Sequence, residues 1–173
     1  MKTSSKSWRL LFLVSLGTLA LDAATKAWAV ALVSRTTVRY DVWQDHLYLV
    51  LMKNRLGPWG LSLIAGEVQR SWILGLGSIA GAAFIVITYS RVSPERRAFS
   101  WALSLALGGI LGNELDRFRH GYVIDFLDFH TTWGGRDRSL SICNIADIAL
   151  RLAVFLAGWD LWRYVRRSPA VVR

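Results

Sequence analysis

The sequence predicts a membrane protein, an all-α bundle of four transmembrane helices with a small extracytoplasmic β-sheet and a short interfacial helix. Hydrophobic residues make up 53% of its 173 positions, nine residues are tryptophan, and the mean hydropathy is +0.33. The apolar residues occur in blocks of about 20, the length at which a helix crosses the hydrocarbon core of a bilayer. We expect residues 1–173 to form a single integral membrane domain.

The basic residues indicate a membrane orientation rather than a nucleic acid partner. The formal net charge is +9. This charge stands in short clusters beside the apolar blocks, which is typical of cytoplasmic membrane boundaries, and not in one extended basic patch. We therefore expect contact with membrane lipid and no binding of nucleic acid.

Four segments are apolar and long enough to be transmembrane helices. We predict helices at about 8–32, 71–89, 98–115 and 142–165, and outer loops at 33–70 and 118–141. The first segment also resembles a cleaved signal peptide, because it ends in an A-x-A pattern at residues 27–29. Asp22 and Lys26 argue against cleavage, since four-residue spacing would place them on one face of a continuing helix.

The distribution of Lys and Arg predicts the direction of each crossing. Cytoplasmic loops are rich in these residues, and four crossings would place all three basic clusters on one side. Both termini are therefore expected in the cytoplasm and both long loops outside. The clusters are Lys2, Lys6 and Arg9, then Arg91, Arg96 and Arg97, then Arg163, Arg166, Arg167 and Arg173.

The outer loops contain sequence that is typical of strands. The stretches TTVRYDVWQDHLYLVLMKN and GYVIDFLDF are rich in β-branched and aromatic residues. We expect a small sheet on the outer membrane face, with Trp43, Tyr48, Trp59 and Trp133 at headgroup depth. A short interfacial helix is expected at about 60–70.

Asp125 and Asp147 are the strongest candidates for chemistry. Asp125 lies on a predicted strand after the third helix, and Asp147 lies at the outer end of the fourth. Two neighbouring carboxyl groups keep one proton between them, so one can activate water while the other protonates a peptide carbonyl. Spacing alone also fits two unrelated interfacial acids. Asp22 and Lys26 either support a site or simply neutralise each other.

Metal and thiol chemistry are weaker alternatives. His120, Asp125, Asp128 and His130 are suitable metal ligands, but the chain lacks H-E-x-x-H and any helical pair of His residues four apart. Cys143, the only cysteine, could act as a nucleophile with His130 as its base. A buried cysteine is more often a packing residue, and we favour that interpretation.

Four short motifs follow one another along the chain. They are DAATK at 22–26, NRLGPWG at 54–60, GGILGNELDR at 108–117 continuing to GYVIDFLDFH at 121–130, and NIAD at 144–147. In this order they resemble the motif blocks of the lipoprotein signal peptidase (signal peptidase II) family. The third block is long and specific, whereas the first alone would be weak.

The resemblance implies an aspartic intramembrane endopeptidase of the bacterial inner membrane, with its active site at the outer face. Such an enzyme removes the signal peptide of diacylglyceryl-modified prolipoproteins and cuts before the lipidated cysteine. Asp125 and Asp147 match the catalytic dyad, with no cofactor and no metal. We expect a monomer. The supporting or substrate-binding positions that match are Asn54, Gly108, Gly112, Asn113, Arg117, Asn144, Asp22 and Lys26.

Two positions depart from the family pattern. Leu56 stands where Gly is usual, with Pro58 nearby, which bears on substrate selectivity and inhibitor binding. Arg151 stands one turn beyond Asp147, where an uncharged residue is common. It either pairs with Asp147 and biases the proton of the dyad, or points towards a polar cavity.

Two other functions fit a small charged membrane bundle. One is a transporter component in which intramembrane charges line an ion path. The other is a catalytically silent relative that binds lipoprotein precursors.

Overall fold

Four long helices and four strands make up the described part of the chain. The computed structural model describes residues 8–33, 39–44, 46–55, 66–133 and 136–167. The elements in chain order are α1 (Trp8–Val33), β1 (Tyr40–Trp43), β2 (Leu47–Asn54), α2 (Glu67–Arg91), α3 (Arg97–His120), β3 (Val123–Trp133), β4 (Arg136–Cys143) and α4 (Ile145–Arg167).

Helix α3 is the centre of the bundle and contacts α1, α2 and α4. Small residues allow these close approaches, as is usual between membrane helices. A Cβ atom on Gly108 would lie 2.7 Å from the backbone oxygen of Ser15, and one on Gly109 would lie 2.7 Å from that of Ala146. The Ser15 hydroxyl donates to the backbone oxygen of Ser104 at 2.9 Å, which adds a polar contact between α1 and α3.

The observed helix ends differ from the predicted ones. Helix α3 runs to His120 instead of residue 115, because a helix can continue into polar sequence beyond its apolar segment. Gly121 ends it in a left-handed conformation, with φ 74°, and donates its N–H to Arg117 at 2.9 Å. Helix α4 begins at Ile145 instead of 142, because β4 continues to Cys143.

The strands form one four-stranded antiparallel sheet in the order β1-β2-β3-β4. The structure confirms the predicted small sheet, and strands β1, β2 and β3 begin in the two stretches that were predicted to form strands. Strand β4 was not predicted. Its segment, RDRSLSIC, was assigned to a loop because the charged residues at its start obscure the alternation of polar and apolar residues that follows. Residues 56–65, with Trp59 and most of the expected interfacial helix, lie outside the described residues.

An apolar cluster seats the sheet on the ends of two helices. Val33 of α1 packs with Leu49 of β2 and Phe126 of β3, and Ile145 of α4 packs against the same cluster. At the opposite end of the bundle, Arg96 donates to Asp160 of α4 at 2.8 Å. The cluster holds β3 above the start of α4, which is where the candidate site lies.

Large apolar side chains are exposed on all four helices. Examples are Phe12, Ile79, Trp101 and Val154. By length and composition, two helices within the described residues could cross a membrane, Trp8–Val33 and Trp72–Arg91. An apolar outer surface over a core with buried polar groups is expected for a protein that sits in lipid.

Candidate active site

Asn144 connects the two aspartates predicted as a pair. It precedes α4, and its side-chain oxygen accepts the backbone N–H of Asp147 at 2.9 Å, as an N-cap residue does. Its amide nitrogen donates to Asp125 at 2.8 Å and to Asn113 at 3.0 Å. The capping geometry therefore orients the buried Asn144 amide towards β3 and α3.

Asp125 lies on β3 with its side chain buried at 2% exposure. One carboxylate oxygen accepts from Asn144, and the other accepts from Asn54, at the end of β2, at 2.9 Å. Asn54 reaches this position because β2 and β3 are paired, with Asn54 opposite Val123. The sheet therefore holds Asp125 between two amide donors.

Asp147 lies in the first turn of α4 and has a donor on α3. The amide nitrogen of Asn113 donates to Asp147 at 2.9 Å, while the amide oxygen of Asn113 accepts from Asn144. A continuous set of side-chain hydrogen bonds therefore joins Asp125 to Asp147 through Asn144 and Asn113.

A buried ion cluster lies behind these amides. The ammonium of Lys26 contacts Asp22 at 2.6 Å and Asp116 at 2.8 Å, and it donates to Asn113 at 3.4 Å. Asp22 also accepts the backbone N–H of Ala146 at 2.9 Å, which helps to cap α4 from α1. A buried charge is tolerated when it is paired and hydrogen-bonded, and this lysine meets both conditions.

Asp116 also belongs to this cluster, although it was not among the residues predicted to form or support the site. Besides its ion pair with Lys26, it accepts the backbone N–H of Ile124 at 3.0 Å. It therefore links α3 to the residue next to Asp125. Its place in the third motif, three residues after Asn113, was the signal that could have identified it.

The two aspartates line one cavity of about 650 Å³ bounded by α2, α3, α4 and the sheet. Its polar lining includes Asp125, Asp147 and Asn113, together with Arg117 and Arg151, and aliphatic side chains form much of the remaining wall. The aliphatic part of the lining suits an apolar peptide segment, with a peptide bond placed beside the two carboxyl groups. The apolar lining includes Ile73, Leu74, Ile110, Leu150 and Val154.

The other predicted supporting residues lie in different surroundings. Arg117 lines the cavity and pairs with Glu114 at 3.1 Å. Gly108 and Gly112 lie instead where α3 packs on α1. A Cβ atom on Gly112 would stand 2.7 Å from the Asp22 carboxylate, so the glycine leaves room for that side chain.

Burial changes the protonation of Asp125. It raises the pKa of this carboxyl to about 6, and the negative charge of Asp147 also raises it, whereas the hydrogen bond from Asn54 opposes the change. A carboxyl with this pKa can hold or release a proton near neutral pH, as acid–base catalysis requires.

The residues of the metal and thiol alternatives are engaged elsewhere. His130 bonds to Asp128 at 2.7 Å and to Asp137 at 2.8 Å, which raises the pKa of its imidazole. Burial raises the pKa of the Cys143 thiol. Among the described residues, no three His, Cys, Asp or Glu side chains are grouped closely enough to hold a metal ion.

Of the two departures from the family pattern, the structure describes only the one at Arg151. Leu56 and Pro58 lie outside the described residues. The guanidinium of Arg151 donates to Ser141 at 2.9 Å and to the Cys143 sulfur at 3.6 Å, and the side chain lines the cavity. Of its two expected arrangements, the structure has the one that faces the cavity.

A family model described as signal peptidase (SPase) II matches residues 14–163. The lipoprotein signal peptidase of Ralstonia nicotianae is 41% identical over 119 residues, covering 69% of this chain and 65% of that protein. The Burkholderia ambifaria protein of the same name is 40% identical over 120 residues, with 69% of each chain covered. The alignment thus spans slightly less than two thirds of the Ralstonia protein.

Two solved structures share the fold. One is a bacterial membrane enzyme determined by the in meso method at 2.3 Å, with a TM-score of 0.78, 21% identity and coverage of 95% of this chain and 94% of that one. The other, at 1.9 Å, gives a TM-score of 0.74, 23% identity and coverage of 93% and 97%.

Proposed function

The chain belongs to the signal peptidase II family, and from that premise we propose that it is an intramembrane aspartic endopeptidase. Its substrates are diacylglyceryl-modified prolipoproteins, from which it removes the signal peptide by cutting before the lipidated cysteine. The observation that carries the proposal is the hydrogen-bonded connection of Asp125 and Asp147 through Asn144 and Asn113 beside one cavity.

The proposed chemistry uses two carboxyl groups and one water molecule. The ionised carboxylate removes a proton from water, whose oxygen attacks the scissile carbonyl carbon while the protonated carboxyl donates to the carbonyl oxygen. The resulting tetrahedral diol collapses: one diol hydroxyl gives its proton to the carboxylate that is now ionised, the C–N bond breaks, and the leaving nitrogen takes a proton from the other carboxyl. One carboxyl is again protonated and the other ionised, so the cycle needs no cofactor.

The surrounding polar residues have distinct proposed roles. Asn54, Asn113 and Asn144 hold the two carboxyl groups in fixed orientations by donating to them. Lys26 with Asp22 supports Asn113 and the start of α4 from behind. Arg117, on the cavity wall, is placed to contact the substrate backbone, and Gly108 and Gly112 act through helix packing.

All four helices are proposed to cross the bacterial inner membrane, with both termini in the cytoplasm. Helices α3 and α4 contain 24 and 23 residues and are therefore about 35 Å long, enough to span the hydrocarbon core. The sheet then lies on the outer face, where lipid-bound substrate meets the water that hydrolysis consumes. One chain supplies both aspartates and the cavity walls, so we propose a monomer formed by a single domain.

The decisive experiment is cleavage of a diacylglyceryl-modified prolipoprotein by the purified protein in lipid vesicles. The products are identified by mass spectrometry, so that the cut before the lipidated cysteine is verified. Asp125→Asn and Asp147→Asn should each lower kcat by about 10²–10⁴-fold, because each removes a group that transfers a proton.

Asp41→Asn is the matched control, since Asp41 is an exposed carboxylate on β1. It should cleave at the wild-type rate, and all three variants should melt near the wild-type temperature. Wild-type turnover by either dyad variant would refute the proposal. A wild type that binds the precursor without cutting it would support the silent relative instead, and a pH-dependent ion flux would support the transporter.

A further inference from the structure

Arg151 is an exposed cation on α4, at the edge of the cavity that holds the candidate site. The neighbouring side chains Val154 and Phe155 are 74% and 65% exposed and apolar. A charge at such a position is costly unless its head group reaches a polar region. Its long side chain therefore needs polar partners away from the lipid tails.

Strand β4 supplies those partners. Hydrogen bonds to Ser141 and Cys143 draw the guanidinium back along α4 towards the sheet, the direction in which long helical side chains point. In this position it lines the cavity that Asp147 also lines. An arginine has five N–H donors, and these two bonds, one of them to a weak sulfur acceptor, occupy two of them.

We propose that Arg151 is a specificity-determining residue that donates hydrogen bonds to the ester carbonyl oxygens of the diacylglyceryl group on the substrate cysteine. This inference rests on the proposed function. It assigns a lipid-recognition role to a residue for which the proposed peptide-bond chemistry has no other use.

The covalent structure of the substrate fits the short distance along α4 between Asp147 and Arg151. Asp147 and Arg151 are four positions apart, which places their backbones about 6 Å apart along the helix, and the guanidinium turns back from there towards the sheet. In the substrate, seven bonds lead from the scissile nitrogen through Cα, Cβ, sulfur and glycerol to the nearer ester carbonyl carbon, a reach of roughly 6–9 Å. With the scissile bond at the dyad, an ester carbonyl therefore reaches the part of the cavity that Arg151 lines.

Neutral oxygen acceptors also fit the local charge. Asp147, one turn away on α4, is bonded to Asn113, and the hydrogen bonds of Arg151 to described residues run to β4. An ester carbonyl accepts from the guanidinium without placing a second negative charge beside the dyad. Guanidinium groups bind planar oxygen acceptors through paired N–H donors.

The test compares two substrates that differ only in these carbonyl groups. One is a prolipoprotein peptide with the natural diester, and the other carries a dialkylglyceryl thioether in which ether oxygens replace the esters. The ratio of kcat/KM for diester over diether is measured for wild type and Arg151→Gln. We expect a wild-type ratio of about ten or more, as a charged hydrogen-bond donor supplies, and a ratio near one for Arg151→Gln, mainly through a higher KM for the diester.

Arg151→Lys, which keeps a donor cation, should recover part of the ratio. Arg138→Gln removes an exposed arginine from the same strand pair and should keep the wild-type ratio. An equal loss of kcat/KM for both substrates in Arg151→Gln, which leaves the diester-to-diether ratio at its wild-type value, would overturn the inference. A wild type that cleaves neither substrate would instead refute the proposed function.

A second measurement uses the unmodified protein and so does not depend on the folding of a variant. A short-chain diacylglycerol should inhibit cleavage of the natural substrate at least several-fold more strongly than the dialkyl ether of equal chain length. Equal inhibition by the two lipids would count against recognition of the carbonyl groups.

Discussion

At the residue scale, Asn144 shows how one amide can serve fold and site together. Its oxygen caps α4 by accepting from Asp147, and its nitrogen donates to Asp125. In the motif N-x-A-D, the asparagine is the N-cap and the aspartate is the third helical residue. The spacing of the motif is thus the spacing of a capped helix start, which brings the side chain of Asp147 beside its cap.

The protonation of Asp125 gives a test at the same scale. Its pKa is raised from 3.8 to about 6, so the folded protein holds this proton at pH values where an unfolded chain has lost it. The resulting stabilisation is present below pH 3.8 and is lost as pH rises through about 6. Asp147→Asn removes a negative charge that raises the pKa, so Asp125 should titrate at lower pH in this variant.

Carbon NMR of labelled aspartate carboxyl groups in micelles measures this titration, with Asp125→Asn identifying the signal. The exposed Asp41→Asn should leave the Asp125 titration where it is in the wild type. An Asp125 signal that titrates at the same or a higher pH in Asp147→Asn would show that the two carboxyl groups do not interact.

At the element scale, the contact between α1 and α3 connects packing to the site. Gly112 stands where α3 passes the Asp22 side chain, and Asp22 in turn binds Lys26 and the start of α4. A displacement at this contact would therefore reach Asn113 and the dyad through groups that touch one another.

Substitution of Gly112 by Ala tests this connection. The new Cβ would lie 2.7 Å from the Asp22 carboxylate and 3.2 Å from the Cβ of Ala146, so we expect a loss of about 1–3 kcal/mol in unfolding free energy and slower cleavage. Denaturant unfolding in micelles and the cleavage assay measure the two effects.

Gly17→Ala on α1 is the matched control, because its Cβ would meet no heavy atom within 4 Å. Both changes raise helix propensity to the same extent, so the difference in unfolding free energy between the two variants reports the clash alone. Equal stability of the two variants would show that α3 can shift away from α1 at little cost.

At the scale of the whole molecule, the sheet meets the ends of α1 and α3 and the start of α4 at one end of the bundle, and Asp125 and Asp147 lie at that junction. Apolar surface covers the helices, while the buried ion cluster of Asp22, Lys26 and Asp116 lies next to β3. This distribution supports a site at a membrane boundary, where an apolar signal peptide and water can both reach the same carboxyl groups.

Labelling of introduced cysteines tests the proposed orientation. A membrane-impermeant maleimide should label Arg138→Cys in intact spheroplasts, because β4 is expected outside, and should label Arg167→Cys only after the membrane is disrupted. The native Cys143 is buried and provides a low background. Labelling of Arg167→Cys in intact cells would reverse the proposed orientation.

The sequence by itself determined the apolar helices, the basic clusters, the first three strands and the motif residues. These follow from local chemistry, since hydrophobic length, charge and β-branched composition act over neighbouring positions. Strand β4 was missed because its charged first half needs the partner strand β3 to be ordered. The end of α3 at Gly121 was missed because a polar sequence can continue a helix until a residue takes a left-handed conformation.

Only the tertiary structure decided which charged residues meet. Asp116 became part of the ion cluster because α3 brings it against Lys26 of α1, and Arg151 turned to β4 instead of Asp147. These residues are far apart in the chain or have several partners within reach, so local spacing leaves the choice open. Packing of α3 between α1 and α4 makes that choice, because buried charges are stable only beside the partners that the fold provides.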